Sequence, residues 1–187
     1  METKLTSQMK CALGEELTSV NLIAHGWPTV NANSSINNFK GIDLFCQHGI
    51  DSDEVVGIQV KATFQGINAG IQTGLNCKKA ADLDELKKAI TGPWVFVHVK
   101  DLETLDVDFY ILTAKQMIAL VYGLHRWYLY GWERRPCNES LEKSPACIRI
   151  EHILGKKDKS RFSDTVFDNP LAGVTTLNKW ENIWIKD

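Results

Sequence analysis

The sequence predicts an α/β fold in one compact domain, and three observations carry that expectation. Its 187 residues are enough to bury a hydrophobic core without disulfides or a structural metal. Its composition, 44% hydrophobic and 24% charged, is that of an ordinary globular chain. Its periodicities run helix, three strands, helix, strand, strand, helix, an order that a simple Rossmann alternation does not produce. No internal repeat or long linker divides the chain, so it reads as a single domain. The core covers about residues 7–125 and a C-terminal elaboration about 126–187.

From Ser7 to Ala24 the apolar positions Met9, Leu13, Leu17, Val20 and Ala24 recur at helical spacing, and His25-Gly26 ends the helix. Trp27 to Asn31 reads as a short strand, and the Asn- and Ser-rich stretch Asn31 to Asn38 as a loop. Gly41 to Gln47 and Val55 to Thr63 are two strands joined by the acidic turn Asp51-Ser52-Asp53. The glycine-punctuated stretch Gln65 to Asn76 reads as a loop or lid. A second helix runs from about Lys78 or Asp82 to Ile90 and is stopped by Gly92-Pro93. Trp94 to Val99 and Asp108 to Leu112 are further strands. Thr113 is placed to cap a helix whose apolar face includes Met117, Leu120, Val121 and Leu124. Beyond Tyr130 the pattern weakens, with a charged loop from Gly155 to Arg161 and an amphipathic piece from Leu177 to Ile185.

Several function classes find no support. No apolar run approaches the ~18 residues of a membrane helix, and the start METKLTSQMK lacks a signal peptide's apolar stretch, so a cytoplasmic protein is expected. The five cysteines, Cys11, Cys46, Cys77, Cys137 and Cys147, form no CxxC pair and read as buried or idle thiols. A zinc set of Cys137, Cys147 and His152 can be drawn, but its spacing matches no common ligand pattern. The segment Gly66 to Gly74 has no G-K-[ST] ending and is no nucleotide loop. A formal charge of −2 means that any nucleic-acid surface is a local patch on a near-neutral body.

The chemistry sits on two neighbouring strands. Side chains alternate along a strand, so Val56, Ile58, Val60 and Ala62 share a core face while Gln59, Lys61 and Thr63 share the other. In the preceding strand Ile42 and Leu44 point one way and Asp43 the other. Paired as a hairpin, the two strands set Asp43 opposite Gln59 and Lys61. A solvated polar face and a functional one both fit this alternation. The conjunction of Asp43 in G-I-D-L, Gln59 and Lys61 in G-I-Q-V-K, and Glu15 on the preceding helix favours the functional one.

This set resembles the PD-(D/E)XK, or restriction-endonuclease-like, nuclease superfamily in its Q-x-K form, over roughly Gly14 to Leu112. Gly14-Glu15 and Gly26 are similar to the family's opening helix, G-I-D-L to its second motif and I-Q-V-K to its third. Trp94 to Val99 and Asp108 to Thr113 resemble its later core strands. Two departures stand out: Gly41-Ile42 replaces the proline that often precedes the aspartate, and Gln59 replaces an acidic residue. The resemblance implies a central mixed sheet of about 4–5 strands flanked by helices in αβββαβ order. It also implies an endonuclease that hydrolyses phosphodiester bonds, in DNA rather than RNA, with Mg²⁺ or Mn²⁺ as cofactor.

In that scheme Asp43 is the principal metal ligand, completed by Gln59, the Val60 backbone carbonyl and waters. Lys61 stands near the attacking water. Glu15 supplies a second carboxylate or remains an ordinary helix acid, and both roles stay open. Duplex cutting by a single-site subunit implies a homodimer. Nucleic-acid contacts are assigned to Lys156, Lys157, Lys159 and Arg161, and to Arg126, Arg134 and Arg135 among the aromatics of residues 125–135. Trp127, Tyr128 and Trp132 in that stretch are equally core residues. A catalytically inactive nuclease-fold module that binds DNA or a protein partner is the alternative, and a toxin-like ribonuclease a third reading.

Overall fold

The computed structural model of the protein describes residues 5–32, 41–131, 137–157 and 165–186. Along the chain, α1 (Ser7–Ala24) leads into β1 (Thr29–Asn31), β2 (Leu44–Gln47) and β3 (Val55–Thr63). Next come β4 (Ile71–Asn76), α2 (Cys77–Ala80), α3 (Leu83–Ala89), β5 (Trp94–Asp101), β6 (Asp106–Leu112) and α4 (Ala114–Tyr130). The order closes with α5 (Glu139–Lys143), β7 (Pro145–Ile148), α6 (Ile150–Ile153) and a 3₁₀ turn (Trp180–Trp184). Contacts divide the chain into two compact units. The first holds Met1–Gly66, Gly92–Thr113 and Leu177–Asp187, and the second Ile67–Thr91 and Ala114–Thr176.

The first unit is built on a mixed five-stranded sheet in the order β1-β2-β3-β5-β6. Only β3 and β5 run parallel; the other pairs are antiparallel. A parallel pair cannot be closed by a hairpin, which is why some thirty residues (64–93) separate these two strands in sequence. Residues paired across a sheet share a face, so Leu44 and Ile58, then Val60, Val95 and Ile111, then Val97 and Phe109, form one apolar surface. Leu22 of α1 and Trp180 and Ile183 of the 3₁₀ turn join that core, with Val56 and Ala62 packed against it.

The helix expected over 7–24 forms with those bounds, capped by the Thr6 hydroxyl, but only part of its apolar stripe turns inward, with Leu17 packed against the core. Met9 and Val20 are 49% and 62% exposed, whereas Gly14, Thr18 and Leu22 are buried. Small residues win that face because the helix comes close: a Cβ on Gly14 would lie 2.5 Å from the Ala62 Cβ on β3. Thr18 buries its hydroxyl by donating to the Gly14 carbonyl at 2.8 Å. Gly26 follows the helix end with φ of 79°, the left-handed conformation that glycine adopts freely.

The second unit pairs β4 with β7 antiparallel and packs α2 on α4, α3 and α5. Met117, Leu120, Val121 and Leu124 of α4 are buried as the periodicity predicts. The loop or lid expected over 65–76 is corrected for its second half, since residues 71–76 form β4. Ile71 and Thr73 alternate inward there against Ile148 and Ala146, and Gly74, with φ of 86°, sits where the register shifts. The helix expected between Lys78 or Asp82 and Ile90 is two short ones, because Asp82 caps a new start through its carboxylate. Among the described residues no helix is long and apolar enough to cross a membrane.

Candidate active site

The β2–β3 ladder ends at the Leu44–Ile58 pair, while β3 continues to Thr63. Past that point the edge of β3 vacated by β2 still carries backbone groups that need partners. Asp43, one residue ahead of β2, supplies them. Its amide donates to the Ile58 carbonyl at 2.8 Å, and its Oδ2 accepts the Val60 amide at 2.7 Å. Gln59 turns its own amide to the opposite edge and donates to the Pro93 carbonyl at 3.1 Å. Successive strand residues aim their backbone groups at opposite edges, so the Val60 carbonyl lies on the Asp43 side with its amide.

The side chains converge at the same place. Asp43 Oδ2 also accepts a hydrogen bond from the Gln59 amide group, whose residue is only 7% exposed. Lys61, two residues along the strand, shares the Gln59 face. Across the parallel pair Gln59 and Lys61 stand beside Trp94 and Phe96, and the Lys61 Nζ lies 5.9 Å from the Trp94 ring centre. That ring gives the ammonium an apolar and electron-rich rest.

Glu15 reaches this region from α1, next to the close approach at Gly14. Its Oε2 accepts from Asn31 Nδ2 at 2.8 Å. Asn31 closes β1 and pairs with Leu44, so it flanks Asp43 on the core-facing side of the sheet. Neighbouring Glu16 is exposed and contributes charge alone.

Burial raises the Glu15 carboxyl above its ordinary range; the Asn31 bond opposes this, the Asp43 charge adds to it, and the Lys61 charge counters with the smallest effect. Burial likewise raises Asp43, against the Val60 amide, the Lys61 charge and the Gln59 bond. Two half-buried acids thus both resist ionisation, and the Lys61 charge favours the ionised form of each.

All four residues singled out from sequence (Asp43, Gln59, Lys61 and Glu15) therefore meet in the first unit. Two contacts were not anticipated: Asn31 on Glu15, and Trp94 under Lys61. Strand pairing would have revealed both, since Asn31 and Trp94 are register neighbours of Leu44 and Gln59.

Among the described residues no three His, Cys, Asp or Glu side chains gather as a metal site. The set here is smaller, two carboxylates, one amide and a carbonyl. It suits a hard cation such as Mg²⁺, which takes one or two protein carboxylates and fills the rest of its shell with water and phosphate oxygen. Two acids that resist ionisation side by side are what a dication would relieve. Gln59 turns its NH₂ toward Asp43; offering its oxygen instead needs a half-turn of the amide.

The basic residues assigned to nucleic acid fall elsewhere in the sequence, and three of them are described. Arg126 is in the second unit, on α4, stacked on Tyr122 and bonded to its hydroxyl at 2.8 Å. Lys156 and Lys157 are exposed in the same unit, and Lys159, Arg161, Arg134 and Arg135 lie outside the described residues. Trp127 and Tyr128 are half-buried around a cavity of about 310 Å³ in that unit. All five cysteines carry free thiols.

No protein-family model and no curated protein matches the chain. Among solved structures it is similar to a bacterial homing endonuclease, with 12% identity and a TM-score of 0.39 over 61% of this chain and 73% of that one.

Proposed function

We propose that the protein is a cytoplasmic, metal-dependent endonuclease that hydrolyses phosphodiester bonds in DNA. One observation carries the reading. The Asp43 carboxylate is bound by the Val60 amide and the Gln59 side chain, with Lys61 on that strand face and Glu15 within its field.

Asp43 is the principal ligand for Mg²⁺ or Mn²⁺, with the Gln59 amide oxygen, the Val60 carbonyl and Glu15 as the remaining protein donors. When bound, such an ion polarises a phosphoryl oxygen and lowers the pKa of a nearby water. The protein's own groups do the rest. Lys61, steadied on Trp94, hydrogen-bonds the attacking water and faces the negative charge that builds on the phosphoryl oxygens. The water oxygen bonds to phosphorus, releasing its proton to solvent, as the ester P–O bond breaks in line, and the leaving oxygen takes a proton from solvent. Glu15 orients the water shell from the α1 side. Cutting both strands of a duplex calls for two copies of such a site, hence a homodimer.

A second reading rests on Gln59. Its neutral amide stands where an acidic residue would bring a further negative charge, which weakens cation binding and favours a nuclease-fold module that binds DNA or a protein without cutting. Cleavage of plasmid and junction DNA with Mg²⁺ or Mn²⁺ separates the two. The expected result is metal-dependent cutting that falls at least ~100-fold in both Asp43→Ala and Lys61→Ala. Wild-type protein that cuts no DNA substrate supports the binding module, and cutting confined to RNA supports the ribonuclease.

A further inference from the structure

We infer that Asn31 is a positioning residue for this site, holding the Glu15 carboxylate toward Asp43 rather than merely fastening α1 to the sheet. The inference rests on the nuclease reading above and names a residue which that reading does not use.

Glu15 has two reasons to leave. It is a long side chain on a half-buried helix face, and its carboxylate lies in the field of the like-charged Asp43. Left to itself it would lower its energy by swinging toward water. Asn31 Nδ2 opposes this with a 2.8 Å hydrogen bond to Oε2. A carboxylate only accepts, so the Asn31 amide has one useful orientation, with its NH₂ toward Glu15.

Asn31 is itself fixed to Asp43 by backbone. It pairs with Leu44, the residue after Asp43, and the next amide, that of Ala32, donates to the Asp43 carbonyl at 2.8 Å. Asn31 therefore links the two acids: its main chain is registered on one and its side chain holds the other. A contact meant only to attach α1 has no need of that register, because Gly14 on Ala62 and Leu22 in the core already attach the helix.

The test compares wild type, Asn31→Ala, Asn31→Gln, Glu15→Gln and the double variant Asn31→Ala/Glu15→Gln, each measured without DNA. Mn²⁺ binding is followed by electron paramagnetic resonance, and melting temperature reports folding. Asn31→Ala should weaken Mn²⁺ binding about tenfold, the usual scale for removing a ligand's hydrogen-bond partner. Asn31→Gln, which retains a donor, should recover most of that loss. In the Glu15→Gln background Asn31→Ala should add nothing, since it acts through Glu15. Unchanged binding in a folded Asn31→Ala protein, or losses that add in the double variant, overturns the inference alone. Wild-type protein that binds no Mn²⁺ overturns the nuclease reading and this inference with it.

Discussion

The two units bury titratable groups of opposite kinds and settle them differently. In the first, burial raises the carboxyls of Glu15 and Asp43, and the Asp43 charge makes Glu15 harder still to ionise. In the second, burial lowers His125 to about 4, and His152 pushes it the same way. His125 is nonetheless comfortable, because a neutral ring donates from Nδ1 to the Val121 carbonyl at 2.8 Å. Asn169 is just as settled. It donates to the carbonyls of His152 and Lys156 at 2.8 and 2.9 Å and accepts the Leu171 amide at 2.9 Å. Polar groups in the second unit are thus satisfied in the uncharged state that burial prefers, which is what a structural role asks. The first unit holds two acids whose surroundings oppose their ionisation, an arrangement that costs stability.

The largest expected effect sharpens this contrast in acid. His125 takes its proton at about 6.5 when unfolded and only at about 4 when folded. The unfolded state therefore binds more protons in that window, and stability falls as pH drops from 6.5 toward 4. Full development is worth about 3 kcal/mol for a side chain only 3% exposed. The opening free energy that hydrogen exchange reports over residues 114–130, once the intrinsic exchange rate at each pH is divided out, should fall between about pH 7 and about pH 4.5 in wild type. A His125→Gln variant, whose amide can still donate to Val121, should lack that slope. Equal slopes would mean that the second unit is not settled by a neutral histidine.

A smaller effect tests how the first unit gathers its acids. Gly14 lets α1 approach β3, and that approach brings Glu15 within reach of Asp43. Gly14→Ala gains up to ~1 kcal/mol of helix propensity. It also sets a Cβ 2.5 Å from the Ala62 Cβ, which is fixed to its strand and cannot rotate away. Overpacking of this kind costs about 1–3 kcal/mol, so destabilisation should win. Urea denaturation should show a lower midpoint for Gly14→Ala and recovery when Ala62→Gly is added. A stabilised Gly14→Ala protein would show that close approach does not set the helix position.

The same glycine explains why part of the fold is not legible in the sequence. Periodicity assigns Met9 and Val20 to the inward stripe of α1, because apolar residues normally face a core. Where a helix lies almost on a sheet, size overrules hydrophobicity, and Gly14 and Thr18 take the buried side. The strand β4 is hidden for a related reason. Glycines around Ile71 and Thr73 break up an inward alternation that becomes a strand only through its partner, Pro145–Ile148, some seventy residues on. The site is more legible than either. Asp43, Gln59 and Lys61 need only strand parity and one hairpin, both local. Asn31 and Trp94 escape because their roles depend on which strands are neighbours, and the β3–β5 pairing in particular crosses a long excursion of the chain.

The smallest effect returns to Asp43 and asks whether the charged site burdens its unit. The folded carboxyl is raised above its ordinary value of 3.8, so the native state holds a proton more readily than the unfolded chain does. Wild-type stability therefore declines as pH rises from 3.8 through the folded value and stays reduced above it. An Asp43→Asn variant, with no carboxyl at this position, escapes that decline. One oxygen of Asp43 accepts from both the Val60 amide and Gln59, and the side-chain oxygen of an asparagine can take both bonds. At about pH 7 and without metal, the variant should melt higher than wild type. Its advantage should vanish near about pH 3, where the wild-type carboxyl is protonated. A variant that melts lower than wild type at neutral pH would mean that the Asp43 charge supports the fold, and the contrast between a strained first unit and a settled second one would be lost.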